Sequence, residues 1–402
     1  WLFLAFELCS LPTYVLVAIG RGADRSMEAA IKYFFLGAMS TATMLLGFAF
    51  LYGATGTLDL NAMREAFQLQ AQTGGIGSVA IVGVLLSLIG ICFKLAAVPM
   101  HFYAPDVYEG ASSPVAALIS FVPKVQGFAT LIVLLGTVGW SASGESALPS
   151  VVAAVLWMVA VLTMTLGNIG ALLQRSAKRM LAYSSIANSG YMLVGVLAGP
   201  KIGVDATLLY LLTYGVANLA TFGSLAAIER NGNEVDALDD LAGLRARAPM
   251  VAVALAIGAL SLTGIPPLLG FWGKLELLVA SAGSHQRALL VIMALNSGVA
   301  AFYYLRLVAG PFVQEPTPRT QGVAPVASAW PRIGAVVFAV GCLALPFVSN
   351  QLKAESVQAA GTAVSAAQNG AGQHGADQLH VDRKSTRLNS SHEWISRMPS
   401  SA

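Results

Sequence analysis

Hydrophobic positions along this chain form long unbroken stretches rather than the one-sided pattern of soluble helices. A soluble helix alternates an apolar stripe with a polar face. A helix crossing a hydrocarbon core of about 30 Å instead needs about 20 predominantly apolar residues in a row. Ten such stretches are present, at about 1–20, 28–53, 77–98, 113–136, 149–173, from the basic turn 174–179 to about 199, 206–228, 249–282, 288–310 and 333–347. Two are interrupted: a proline- and aromatic-rich break from Pro99 to Pro114 follows the third, and Gly264-Ile265-Pro266-Pro267 splits the eighth. Proline removes a backbone donor and kinks a helix, and the carbonyls so freed must find partners in protein or water. The pattern predicts an all-α polytopic membrane protein of about ten transmembrane helices. Interruptions at corresponding places in two halves point to an inverted repeat.

Composition agrees with that reading. Of 402 residues, 56% are hydrophobic and 11% charged, against roughly 25% charged in soluble domains. A net charge of +3 gives no reason to expect nucleic acid; the lipid bilayer is the expected surroundings. Cys9, Cys92 and Cys342 lie far apart in apolar runs, with no CxxC or Cys/His spacing. No metal site is therefore expected, and the cysteines read as small core residues. No Gly-rich dinucleotide or phosphate loop occurs, so no cofactor is expected on this chain. Basic residues divide unevenly between alternate loops: Arg21, Arg25, Arg175, Lys178, Arg179, Arg230, Arg245, Arg247, Arg319 and Arg332 in one set, Arg64, Lys201, Arg287 and Lys353 in the other. The richer set is expected to be cytoplasmic. The polar stretch 229–248 reads as a solvated loop. Residues 1–348 read as one membrane domain that opens inside an apolar run. Residues 349–382 read as a flexible tail, and 383–402 as non-native, vector-like sequence.

Charges inside the spans alter the picture further. Glu7, Lys32, Lys94, Lys124 and Lys274 fall within predicted helices, and Glu28 at the edge of one. A charge at the centre of a span costs roughly 2.5 to 3.5 kcal/mol on insertion scales. Such residues are expected to face the bundle interior and to mark an ion or proton path. Lysine suits reversible proton binding, because burial penalises its ammonium form and a neighbouring carboxylate restores it. For Lys32, near a helix end, snorkelling or an ordinary i,i+4 pair with Glu28 competes with a relay role. His101 lies in the first break, followed by Asp106 and Glu109. It reads equally as a protonatable link or as a neutral hydrogen-bonded histidine. Tyr103 and Tyr108 read as interfacial anchors.

The segments FKLAAVPMHFYAPDVYEGASSPV, ELCSLPTYVLVA, KRMLAYSSIANSGYMLVG and SLTGIPPLLGFWGK carry a resemblance. The chain resembles the subunit N family of the bacterial proton-pumping NADH:quinone oxidoreductase (complex I), whose mitochondrial counterpart is subunit 2. The resemblance runs from about residue 1 to 347, and PDVYEGA separates this family from its antiporter-like relatives. It implies a fold of fourteen helices in two inverted five-helix repeats, with the first four helices absent here. It also implies a proton relay of Glu7, Lys94, Lys124 and Lys274, with Lys32 and Glu28 as further members, while His101 is a candidate member on its own position in the break. Many members of the family it resembles carry histidine where this chain has Asn188. The implied role is proton translocation in the bacterial cytoplasmic membrane, coupled to electron transfer from NADH to quinone elsewhere. NADH, FMN, iron–sulfur clusters and quinone are then held by other subunits. The implied partners are other complex I membrane subunits, including antiporter-like ones. A cation/proton antiporter or a membrane-bound hydrogenase subunit is the alternative reading.

Overall fold

The computed structural model describes residues 1–20, 23–140, 148–284 and 286–348, with isolated positions at 351, 354, 357 and 358. Arg21, Lys353 and the segment expected to be non-native lie outside the described residues, as does nearly all of the tail. The described residues are helical almost throughout. The chain begins with α1 (Leu2–Ala18), α2 (Ala23–Thr55), α3 (Leu60–Thr73), α4 (Ser78–Leu95), α5 (Ala104–Gly110), α6 (Ser113–Val138) and α7 (Ser150–Leu172). It continues with α8 (Ala177–Leu197), α9 (Ile202–Ala226), β1 (Ile228–Arg230), β2 (Asn233–Glu234), α10 (Leu244–Arg247), α11 (Pro249–Thr263) and α12 (Leu269–Gly283). The last elements are α13 (Arg287–Phe312), β3 (Val323–Pro325) and α14 (Trp330–Ala344).

Eight helices among the described residues are long and apolar enough to cross a membrane, and α1 and α11 are shorter apolar helices. Counting α4–α5 and α11–α12 as single broken crossings, the ten predicted spans are all present. Each broken crossing is the third of five: α1, α2, α4–α5, α6, α7 and then α8, α9, α11–α12, α13, α14. Helix α8 is the axis of the bundle. Its most apolar window is 94% buried, against 28% for α13 and 17% for α14. The outer helices turn residues such as Leu295, Phe302 and Val337 outward, where lipid is the expected neighbour.

Lipid tails are as apolar as leucine, so burial of apolar surface does little to drive these helices together. Close van der Waals contact at small residues does that work. A methyl group added at Gly190 of α8 would lie 2.5 Å from the Met164 nitrogen, and one at Gly167 of α7 2.5 Å from the Ala187 nitrogen. Helices α2 and α4 meet the same way, with Gly90 against the Ser40 carbonyl at 2.8 Å and Gly47 against the Ser87 nitrogen at 2.6 Å.

Three expectations need correction. The stretch 229–248 is not a solvated loop. Strand β1 pairs antiparallel with β2 and, from across the α13–α14 connection, with β3. Leu238, Leu241 and Leu244 are buried, as is Asp240, which pairs with Arg230 at 2.8 Å. Charge in the sequence hid this, because Arg230, Glu234, Asp236, Asp240 and Arg247 each have specific partners. The segment also grips α8: the Ala177 amide donates to the Asp236 carbonyl at 2.6 Å, and Ser176 Oγ to Asp236 Oδ1 at 2.7 Å. The loops of the more basic set thus meet at one end of the bundle, here called the basic end. Second, Tyr103 and Tyr108 are buried rather than interfacial. Tyr103 donates to the Phe93 carbonyl at 2.7 Å and forms a three-ring cluster with Tyr33 and Phe93. Third, α3 was not anticipated. Asp59 caps it through the Asn61 and Ala62 amides, and its Arg64 holds the Gly136 carbonyl at the end of α6 through Nε at 2.8 Å.

Gly190→Val is expected to separate α7 from α8 and to destabilise the bundle by about 1–3 kcal/mol. The measurement is thermal unfolding of the detergent-solubilised protein, with Gly334→Val, which meets no neighbour, as the control.

Candidate functional site

The two helix breaks share a local design. Helix α4 ends with Ala96 in the left-handed region at φ 51°, and α11 with Gly264 at φ 89°. Each is followed by a cis prolyl bond, Val98–Pro99 and Pro266–Pro267. A left-handed cap turns the chain so that following amides reach back to some of the last carbonyls. The Ala97 amide bonds the Cys92 carbonyl at 2.8 Å, and the Gly264 amide bonds the Leu260 and Ser261 carbonyls at 3.1 and 3.0 Å. The terminal carbonyls remain, and in a membrane they require donors.

Lysines supply those donors. Lys124, from the middle of α6, donates to the Leu95 carbonyl at 2.9 Å, to the Ser185 carbonyl at 2.9 Å and to Ser189 Oγ. Ser189 Oγ also donates to the Leu95 carbonyl. Lys274 of α12 reaches back across its own break to the Leu262 and Thr263 carbonyls, both at 2.9 Å. The C-terminal end of a helix carries partial negative charge that favours a cation. Each ammonium also faces an aromatic ring, Lys124 that of Tyr214 at 6.0 Å and Lys274 that of Tyr191 at 5.4 Å. Both lysines are buried, at 1% and 6% exposure, so these are the contacts that hold a charge inside the bundle.

Lys94 lies in the last turn of α4, next to the carbonyl that Lys124 holds. Its Nζ has no hydrogen-bond partner among the described residues and sits 5.2 Å from the Phe6 ring. Glu7, one residue beyond Phe6, accepts from Thr41 at 2.8 Å and Ser10 at 3.3 Å. No ion pair joins Glu7 to Lys94 among the described residues. His101 lies in the first break with Nδ1 buried and unpartnered, and no hydrogen bond links it to either lysine.

Lys32 and Glu28 belong elsewhere. Lys32 bridges Glu28 at 2.8 Å and Asp106 at 2.9 Å, while Arg179 bridges Asp106 and Glu109, both at 2.7 Å. These groups are part-exposed at the basic end, where they tie the short α5 to α2 and α8. The ordinary i,i+4 pair is therefore present, extended by two residues of α5 and one of α8.

Several polar residues join the site without a charge to mark them in the sequence. Ser184, Ser185, Asn188 and Ser189 put hydroxyl and amide groups along buried α8. Tyr214 donates to Ser185 Oγ at 2.9 Å, Tyr210 to Asn188 Oδ1 at 2.5 Å, and Asn188 to the Tyr304 hydroxyl at 3.1 Å. Farther along, Asn168 donates to the Tyr191 hydroxyl at 2.9 Å and accepts from Tyr303 at 3.0 Å. A polar seam therefore accompanies α8 from the Lys124 carbonyl cage to the ring that faces Lys274. Its available signal was the polar run SSIANS inside an otherwise apolar span. Asn188 is a hydrogen-bonded member of this seam.

Residues 1–300 match the family described as NADH:quinone oxidoreductase/Mrp antiporter, TM. The chain is 42% identical over 322 residues to NADH-quinone oxidoreductase subunit N 2 of Roseiflexus castenholzii, covering 78% of this chain and 64% of that protein. It is 41% identical over 351 residues to NADH-quinone oxidoreductase subunit N 1 of Sorangium cellulosum, covering 84% and 67%. The chain thus spans about two thirds of the length of these relatives. Among solved structures it is similar to a chain of respiratory complex I from Thermus thermophilus with bound aureothin, at TM-score 0.73 and 34% identity, covering 87% of this chain and 73% of that one. A chain of the Mrp complex from Dietzia sp. is similar at TM-score 0.77 and 26% identity, covering 90% and 73%.

Removing the Lys274 ammonium leaves the Leu262 and Thr263 carbonyls without their donor. Lys274→Met is expected to destabilise the protein by about 1–3 kcal/mol per stranded group, and Lys274→Arg by less. Melting temperature in detergent reads the difference.

Proposed function

The chain belongs to the NADH:quinone oxidoreductase/Mrp antiporter membrane family, and we propose that it works as subunit N in the membrane arm of a bacterial NADH:quinone oxidoreductase. In that role residues 1–348 form the antiporter-like domain and translocate protons across the cytoplasmic membrane. Electron transfer from NADH to quinone takes place on other subunits, which hold NADH, FMN, the iron–sulfur clusters and quinone. The partners are the other membrane subunits of that complex, antiporter-like ones among them.

One observation carries the reading. Two buried lysines each bond the C-terminal carbonyls of a broken half-helix, and a polar seam along α8 runs between them. An amine held by carbonyls and a ring face can gain and lose one proton without a change of covalent structure. Movement of either half-helix alters how many acceptors face it, and so alters its proton affinity. In this mechanism Glu7 sets the local field at Lys94, and Lys124 receives a proton near the first break. The proton passes along the hydroxyls of α8 toward Lys274 at the second break. His101, Lys32 and Glu28 are the lesser members of the relay, the last two acting through the ion pairs that fasten α5.

A second reading is an Mrp-type cation/proton antiporter subunit, favoured by the similarity to the Dietzia complex. The two readings separate in inverted membrane vesicles carrying the assembled complex. NADH-driven acidification that needs no sodium gradient supports the first; sodium-driven collapse of a pH gradient without NADH supports the second. Lys124→Ala, at normal assembly, is expected to lower NADH-driven proton translocation by tenfold or more, roughly the range of a lost proton-transfer group. Undiminished translocation in that variant rules out the relay role of Lys124.

A further inference from the structure

The cysteines differ in their surroundings. Cys92 and Cys342 are buried, whereas Cys9, in the middle of α1, is part-exposed. Helix α1 turns Phe6, Ser10, Thr13, Tyr14 and Val17 inward and leaves Leu4, Leu8, Leu11 and Val15 exposed. Cys9 follows Phe6 by three residues, so the two side chains are neighbours on the helix surface, with Cβ atoms roughly 5–6 Å apart. Phe6 is the residue over whose ring the Lys94 ammonium lies, at 5.2 Å. The charge of an ionised Cys9 acts on Lys94 more strongly than that of Glu7.

Lys94 sets this thiol apart from an ordinary membrane cysteine. Its side chain is 2% exposed, and its Nζ has no hydrogen-bond partner among the described residues. Lys32 and Lys178 have carboxylates, and Lys124 and Lys274 have carbonyls. Glu7 is engaged by Thr41 and Ser10, and Lys124 bonds toward α8. A neutral amine so placed keeps a lone pair free to take a proton. The thiolate is the nucleophilic form of cysteine, and an adjacent base generates it. Gln126 of α6 steadies the arrangement: its Nε2 donates to the Ala5 carbonyl at 2.6 Å, which pins this turn of α1.

We propose that Cys9 is a modification site for electrophilic alkenes dissolved in the membrane, of the α,β-unsaturated carbonyl class, with Lys94 as the base that activates it. Lys94 Nζ takes the thiol proton, and Cys9 Sγ forms a carbon–sulfur bond to the alkene carbon β to the carbonyl. The π pair moves toward the carbonyl, and the Lys94 ammonium then returns its proton to the α-carbon. The sum is addition of S–H across the double bond, with Lys94 neutral before and after. The mid-span position of Cys9, beside the outward apolar face of α1, favours a lipid-soluble reagent over one confined to water. The adduct fills the space beside Phe6, so that Lys94 no longer answers to Glu7. That consequence rests on the proposed place of Lys94 in proton transfer; the addition itself does not.

The probe is N-ethylmaleimide, applied to inverted vesicles carrying the assembled complex, with adducts on each cysteine read by peptide mass spectrometry. Cys9 is expected to be labelled ahead of Cys92 and Cys342, and Lys94→Met to slow its labelling about tenfold or more. A second comparison needs no change at Lys94 and separates activation from exposure. Leu8→Cys in a Cys9→Ser background moves the thiol to a position 76% exposed, on the side of the helix away from Phe6. That variant is expected to react more slowly than the parent Cys9 despite its greater exposure. Equal labelling of Cys9 in the parent and in Lys94→Met, or faster labelling of the Leu8→Cys variant, overturns the proposal. NADH-driven proton translocation is expected to fall in the labelled parent and to persist in labelled Cys9→Ser. Lys94-dependent labelling that leaves translocation intact upholds the modification site and overturns the claim that the adduct disables Lys94. Labelling that does not depend on Lys94 overturns the site whatever its effect on translocation.

Discussion

A backbone carbonyl left without an amide partner inside a membrane needs another donor, and this fold is arranged around two places where that happens. Both broken helices end in a left-handed residue, which returns some carbonyls to backbone amides and leaves the terminal ones facing inward. Lys124 and Lys274 complete the account. The same contact that makes the break tolerable also places an ionisable amine at membrane depth. In the proposed function the nitrogen that meets this structural need is also the one that takes up the proton.

That coupling explains why the neighbouring groups are hydroxyls, amides and rings rather than carboxylates. A carboxylate beside either lysine would lock it as a tight ion pair, which is hard to discharge. Carbonyls, serines and aromatic faces support the cation more weakly and still accommodate the neutral amine. The strong ion pairs are kept at the basic end, where Lys32, Asp106, Arg179 and Glu109 fasten the short α5. Fixed charge holds the frame, and the part-neutral seam lies within it.

Rigidity around that seam comes from glycine-mediated contact. Helix α8 presents its hydroxyl residues inward only because Gly190, and Gly167 opposite, let α7 come within backbone contact. The sheet at the basic end adds a second constraint. It ties the α9–α11 and α13–α14 connections together, and its Glu234 reaches the start of α6. A helix pair from the two halves of the chain, α6 and α9, is thereby clamped at one end while the breaks lie deeper in the bundle.

Ten spans, both breaks and all three intramembrane lysines were legible in the sequence, because apolar length, proline and a charge in lipid each act locally and strongly. The partners of those lysines were not. That Lys124 belongs to the end of α4 and Lys274 to the end of α11 depends on helix approach and rotation, which periodicity does not carry when a helix is apolar on every side. The same gap hid the buried Tyr103 and Tyr108, the seam of α8 and the packed segment 229–248, each polar in sequence and satisfied only through distant partners. The order of apolar runs and prolines determined that this protein spans a membrane and breaks two helices within it; tertiary contact alone decided which donor each broken helix receives.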